Sequence, residues 1–163
     1  MSEINLIDVE ASGLHFESYP IEVGVRVNGI VQSWLIRPTH SWTHWDDAAE
    51  SLHKLSRERL HLEGLPPERV ARELNSLFSE TDCVVYSDAA PWDDDWIKTL
   101  FAASGQKPAF VVLPITDLLD QDASGRFQRR LAQLREANHS RLHRVRADLE
   151  QLREAYRHAI ESS

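Results

Sequence analysis

Cysteine is almost missing from this chain: Cys83 stands alone, so no internal disulfide can form. A lone thiol fits a reducing compartment, and with no basic-apolar leader at the N-terminus the expected location is cytoplasmic. Long apolar runs are missing too. Asp8 already interrupts the first apolar stretch, and nothing approaches the length needed to span a membrane, so no membrane partner is expected. No repeat or low-complexity segment occurs. Basic residues are in deficit: 18 Lys and Arg face 26 Asp and Glu, a net charge of −8, which argues weakly against nucleic acid as a partner. The deficit is uneven. Residues 126–163 hold nine Arg against five acids, a local +4 that leaves −12 on the rest. A basic last quarter can meet phosphates, or it can be solvated helix faces with i,i+4 pairs.

What is present is ordinary for one globular domain over residues 1–163: 42% hydrophobic and 27% charged. Residues 4–10 read as a central strand, with Ile4, Leu6, Asp8 and Glu10 on one face and Asn5, Ile7 and Val9 on the other. Residues 21–27 alternate, and Asn28-Gly29 is a hairpin signal because both turn positions need positive φ. Residues 30–36 return as a third strand, closed by Pro38. Residues 39–53 read as a loop rich in tryptophan, suited to packing or to stacking on bases. Short helices follow from Ser56 to Leu62 and from Pro66-Pro67, then a strand at 83–86, a helix from about Asp93 to Ala103 and a strand at 110–113. From Pro114 the chain reads as helical, with breaks near Asp122–Gly125 and Asn138–Ser140. The sum is an α/β fold: a mixed five-stranded sheet, three antiparallel strands and then two parallel ones, flanked by helices, in an order that resembles that of ribonuclease H-like folds.

The chemistry lies in three acid-bearing segments. Asp8 and Glu10, at i and i+2 on a strand, project from one face. Like charges so close disfavour ionisation unless a cation sits between them, and a hard divalent ion takes oxygen ligands. A strand end emerging into solvent would leave both acids merely wet. Ala11-Ser12-Gly13-Leu14 continues into a small-residue loop, where Ser12 can donate to a sugar or phosphate and Gly13 admits close approach. Residues 87–97 (SDAAPWDDDWI) crowd acids around a helix start, where some serve only the helix dipole. Asp93, three and four residues before Trp96 and Ile97, shares their inward face; Asp94 lies about 100° round. In the last segment, His143 and Asp148 are about 140° apart on an ideal helix. They converge only if His143 precedes or opens the first turn. A neutral His is a natural general base near neutral pH.

Together these segments resemble the DEDDh 3′–5′ exonucleases, the group of polymerase proofreading subunits, oligoribonuclease and ribonuclease T. That family opens with Asp-x-Glu-Thr-Thr-Gly-Leu, and residues 8–14 here read DVEASGL. Its second strand carries Ile-Glu-Ile-Gly, and residues 21–24 read IEVG. A family His-Gly-Ile-Thr corresponds to HKLS at 53–56. Trp92 to Ile97 matches the latter half of the second acid motif, and His143 to Asp148 has the spacing of the third. Three departures stand out: Ser87-Asp88 replaces His-Asn, leaving Asp88, Asp93 and Asp94 open for the second acid; Val145 replaces Ala; Lys54 and Leu55 replace Gly-Ile.

The resemblance implies two divalent cations, Mg²⁺ or Mn²⁺, ligated by Asp8, Glu10, Asp93 and Asp148, with His143 as the fifth catalytic residue taking a proton from the attacking water. Two cations roughly 4 Å apart stabilise the entering and leaving oxygens. It further implies that Ser12, Gly13, Leu14 and His15 receive the 3′-terminal nucleotide of single-stranded or 3′-overhanging nucleic acid, releasing nucleoside 5′-monophosphates. A homodimer is compatible with the resemblance and with the Arg-rich helix. Two alternatives differ in class: a catalytically degenerate ribonuclease H-like binding or interaction module, and a metal phosphoesterase acting on short oligonucleotides or other small phosphate esters.

Overall fold

In the computed structural model, which describes residues 3–138 and 143–162, five strands form one sheet in the order β3-β2-β1-β4-β5. Strands β1 (Leu6–Ala11), β2 (Pro20–Val27) and β3 (Ile30–Leu35) make an antiparallel meander. Asn28 and Gly29 turn the second hairpin at φ 49° and 79°, as the Asn-Gly pair predicts. Strands β4 (Val84–Ser87) and β5 (Val111–Pro114) add in parallel beside β1. β1 is therefore central, which accounts for its apolar residues on both faces.

Alternation along β1 decides which layer each side chain meets. Ile7 and Val9 join the core beneath α3 (Pro67–Asn75) and α4 (Ala90–Ser104), with Val70, Leu74, Ile97 and Leu100. Leu6 faces the other way, into a core with Phe127 and Leu131 of α5 (Gln121–Ala137) and Leu149 and Leu152 of α6 (Val145–Glu161). Asp8 and Glu10 share the parity of Leu6, so they point toward α6. This alternation is what makes a strand acid and a helix acid neighbours.

Three expectations change. The tryptophan segment is not all loop: Asp47–His53 form α1, capped by Asp46, whose carboxylate accepts from Ala48 N–H at 2.8 Å. Helix α2 spans Arg57–Glu63, close to its expected place. Helix α4 begins at Ala90, so Asp93 lies at the end of its first turn and is not its first residue. No break occurs at Asp122–Gly125. A 3₁₀ turn covers Ile115–Leu118, Asp120 then caps α5 by accepting from Ala123 N–H, and the helix runs through Gly125. Burial of Ala123, Phe127 and Leu131 outweighs the roughly 1 kcal/mol that a mid-helix glycine costs. The expected break after Asn138 falls partly outside the described residues. No described helix is long and apolar enough to cross a membrane.

Candidate active site

The start of α6 is seated against β2 by two residues of that strand. Gly24, opposite Asp8 in the strand register, leaves space for Val145: a Cβ there would lie 2.6 Å from Val145 Cγ2. Glu22, opposite Glu10, is buried, and its carboxylate accepts from the Arg144 guanidinium at 2.5 Å and from Val145 N–H at 3.3 Å. That buried acid satisfies one of the free amides at the helix start. Arg144 is extended and stands at the N-terminal boundary of the helix, so His143 lies ahead of the first turn, where its backbone N–H donates to Leu52 O at 3.1 Å. The condition for His143 and Asp148 to converge is thereby met, and both line one cleft.

Asp8, Glu10 and Asp148 come together there, each offering an oxygen within 4.8 Å of the others. Burial raises the Asp8 pKa well above the ordinary carboxylate range, and Asp93, Asp148 and Glu10 raise it further. Glu10 is pushed up to about 9 by burial and then by Asp148 and Glu22. Asp93 is raised to about 7 by burial, against the opposing hydroxyl of Ser87. Asp8 Oδ2 is buried without a hydrogen-bond partner. An all-oxygen donor set, like charges in contact and an orphaned acceptor fit a hard divalent cation such as Mg²⁺ or Mn²⁺.

These directions dictate a pH dependence. Unfolded Asp and Glu titrate near ~4. Above that pH the native cluster retains protons the unfolded chain has released, so its contribution to stability is full below about pH 4 and lost as pH rises toward about 9. His53 acts oppositely. Burial lowers its pKa to about 4, so its contribution is present above the unfolded value of ~6.5 and lost as pH falls. Above ~6.5 only the carboxylates remain in play. The metal-free protein is therefore expected to melt at progressively lower temperature between pH 6.5 and 9, and saturating Mn²⁺ is expected to remove that slope. A metal-free melting temperature that is flat or rising over this interval contradicts the coupling described.

Of the three acids left open in the second motif, Asp93 is the buried one. Its carboxylate accepts from Ser87 Oγ at 2.5 Å and from the Val9 backbone, and it lines the cleft beside the trio without belonging to it. Asp94 pairs with Lys98 at 2.5 Å on the surface, as its angle on the helix implies. Asp88 lines the cleft but pairs with Arg135 at 2.8 Å. Gly13 and Leu14 line the cleft, with Leu14 72% exposed at its mouth. Ser12 and His15 do not. Ser12 is fully buried just past the end of β1, and its hydroxyl accepts from Tyr19 N–H. His15 is exposed, stacks on His44 and meets the Phe16 ring at a tilt.

The cleft measures about 620 Å³, the size of ordinary small-ligand sites. Its walls include two further buried side chains with a polar atom lacking any partner. His53, at the end of α1, accepts Leu55 N–H on Nδ1 at 3.0 Å, which fixes the proton on Nε2, and Nε2 has no acceptor. Burial keeps the ring neutral near pH 7. The only sequence signal for it is the loose HKLS match. The other is Gln151, whose Oε1 lacks a donor; its signal is helical spacing, three residues after Asp148.

The basic last quarter is largely neutralised. Of its eight described arginines (Arg141 lies outside the described residues), five are in ion pairs: Arg130–Glu154, Arg135–Asp88, Arg144–Glu22, Arg153–Glu150 and Arg157–Glu161. Among the described residues, Arg135 is the one arginine of the cleft wall.

No family model and no curated protein matches the chain. Solved structures do match in fold. The zinc-bound E. coli exonuclease I–single-stranded DNA complex superposes with a TM-score of 0.78 at 16% identity, over 98% of this chain and 40% of that one. E. coli exonuclease I with a dT13 oligonucleotide gives 0.72 at 17% identity, over 94% and 40%. Exonuclease I without ligand gives 0.72 at 16%, over 98% and 42%. The chain spans about two-fifths of the length of these neighbours, and at such identities the likeness establishes the ribonuclease H-like fold.

Proposed function

We propose that the chain is a metal-dependent 3′→5′ exonuclease acting on single-stranded or 3′-overhanging nucleic acid. The observation that carries this reading is the trio Asp8, Glu10 and Asp148, with its orphaned Asp8 oxygen, facing the same cleft as His143 in an exonuclease I-like fold. Asp8, Glu10 and Asp148 hold the cations, with Asp93 supporting from the cleft wall. Bound there, divalent cations stabilise charge on the entering and leaving oxygens of an in-line displacement at phosphorus. His143 accepts the proton of the attacking water; its backbone N–H is tied to Leu52 O, and it lines the same cleft as the acids. Leu14, Leu52 and Trp92 are exposed at the cleft mouth, where apolar surface receives the terminal base. His53 Nε2–H donates to an oxygen of the terminal nucleotide, which supplies the acceptor it lacks. The product is a nucleoside 5′-monophosphate.

The test uses end-labelled single strands of DNA and RNA with Mn²⁺ or Mg²⁺ against chelator. Stepwise release of 5′-mononucleotides from free 3′ ends, blocked by a 3′-phosphate and by chelation, is the expected result. Cleavage of circular strands, or equal rates on blocked and free ends, would overturn the polarity. Hydrolysis of small phosphate esters with polymers left intact would favour a phosphoesterase instead.

A further inference from the structure

Helix α6 buries Val145, Leu149, Gln151, Leu152, Ala155 and Ala159, and Gln151 is the one polar side chain among them. It is 6% exposed and lies on the wall of the cleft that holds Asp8, Glu10 and Asp148. Its Oε1 is sealed from solvent and receives no hydrogen bond. A leucine or methionine would fill the same slot without leaving a polar atom unsatisfied, so packing does not account for an amide here. The other orphan among the acids, Asp8 Oδ2, is also an acceptor. Neither is hydrogen-bonded to the other, and each has room for a donor or a positive charge. An amide oxygen has one further property that matters in this setting: it accepts a hydrogen bond without adding a fourth negative charge to an already repulsive cluster.

We infer that Gln151 is a positioning residue for the cation: its Oε1 accepts a hydrogen bond from a water held by the ion that Asp8 and Asp148 ligate, fixing the orientation of that water. The inference rests on the metal-site reading above. Spacing supports it, since Gln151 follows Asp148 by three residues and so shares its face of the helix, one turn further along. The role is that of the groups that hydrogen-bond to the ligands of a metal, whose loss weakens binding without removing the site.

The test titrates Mn²⁺ alone into the metal-free full chain by calorimetry, with melting temperatures of the same samples. Gln151→Met keeps the volume and removes the acceptor. It is expected to bind Mn²⁺ about 10-fold more weakly, with a metal-free melting temperature unchanged or higher, since a buried unsatisfied amide has been removed. Gln151→Glu keeps an acceptor and loses the donor. It is expected to bind at least as tightly as the wild type, and to melt lower without metal because charge has been added. Wild-type affinity in Gln151→Met overturns the inference. So does Gln151→Glu weakened as much as Gln151→Met, which would mean that the amide acts through its N–H. A wild-type protein that binds no Mn²⁺ overturns the metal-site reading itself, an outcome distinct from these two.

Discussion

Replacing Asp8 by Asn is expected to cost nearly all activity while leaving the metal-free fold as stable as before, or more so. Asp8 is the acid on which every other acid of the cluster acts: Asp93, Asp148, Glu10 and Asp88 all raise its pKa, after burial has done so. Asparagine is isosteric, cannot ionise and supplies an N–H donor to its carboxylate neighbours. Removing charge at the centre of a repulsive, desolvated cluster relieves strain that the metal-free protein otherwise carries. In a chain of this size about 1 kcal/mol corresponds to roughly 2–4 °C in melting temperature, so a rise of a few degrees without metal is the expected sign and scale. In activity the effect runs the other way. Cation binding supplies several kcal/mol of charge stabilisation. At about 1.4 kcal/mol per tenfold, that is a loss of about 10³-fold or more. The fall in metal-free stability between pH 6.5 and 9 is also expected to flatten. A sharp drop in the melting temperature of metal-free Asp8→Asn would instead make Asp8 a structural partner, and the cluster would lose its centre.

This opposition of stability and activity is also why so much of the site is legible in the sequence. Acids are costly in a central strand, so Asp8 and Glu10, set among Leu6, Ile7 and Val9, single out a candidate site, although residue type and spacing alone leave open a strand end that is merely wet. The period-2 pattern gives their common face, and the fold supplies the partner, α6, for that face. The second hairpin is legible because Asn28-Gly29 has the left-handed preference its turn requires. What stays hidden depends on contacts distant in sequence. Helix α1 is concealed by two tryptophans and two histidines in the preceding segment, although Asp46-Asp47 ahead of AAESLH is a cap followed by helix formers. Trp42 and Trp45 pack inward there: Trp42 stacks on Tyr19, and Trp45 donates to Glu50 and meets the edge of His53. With α1 unseen, His53 has no fixed place, and its unpartnered Nε2 cannot be anticipated. The inward turn of Ser12 is hidden because β1 ends at Ala11 and Ser12 is held by Tyr19, seven residues on. The arginines of the last quarter have their local i,i+3 and i,i+4 partners written in the sequence, as in Arg153–Glu150 and Arg157–Glu161, but not their distant ones, Glu22, Asp88 and Glu154.

The cleft holds two histidines, and the structure gives them opposite chemistry. His53 is buried, neutral and already accepts on Nδ1, so it can only donate into the cleft. His143 is exposed, ahead of α6, and is the candidate to accept a proton. The expected result for His143→Ala is a loss of roughly 10²–10⁴-fold in kcat, the usual contribution of a general base, with little change in Mn²⁺ affinity because His143 is not a ligand. The pH profile separates this from mere disruption. At saturating Mn²⁺ the cation opposes protonation of the cluster carboxylates, so a rise of rate with pH that depends on His143 is the signature of its taking the proton of the attacking water. That rise is expected to vanish in His143→Ala. His53→Gln, which keeps a donor and cannot titrate, is expected to preserve it. His158, exposed near the end of α6, serves as the silent control; His139, the other control suggested by the sequence, lies outside the described residues. Near wild-type turnover in His143→Ala, or a variant that keeps the rise of rate with pH, would remove His143 from the mechanism. If Asp148→Ala were equally silent, the start of α6 would be a charged surface element and the exonuclease reading would lose the third acid on which its cation site depends.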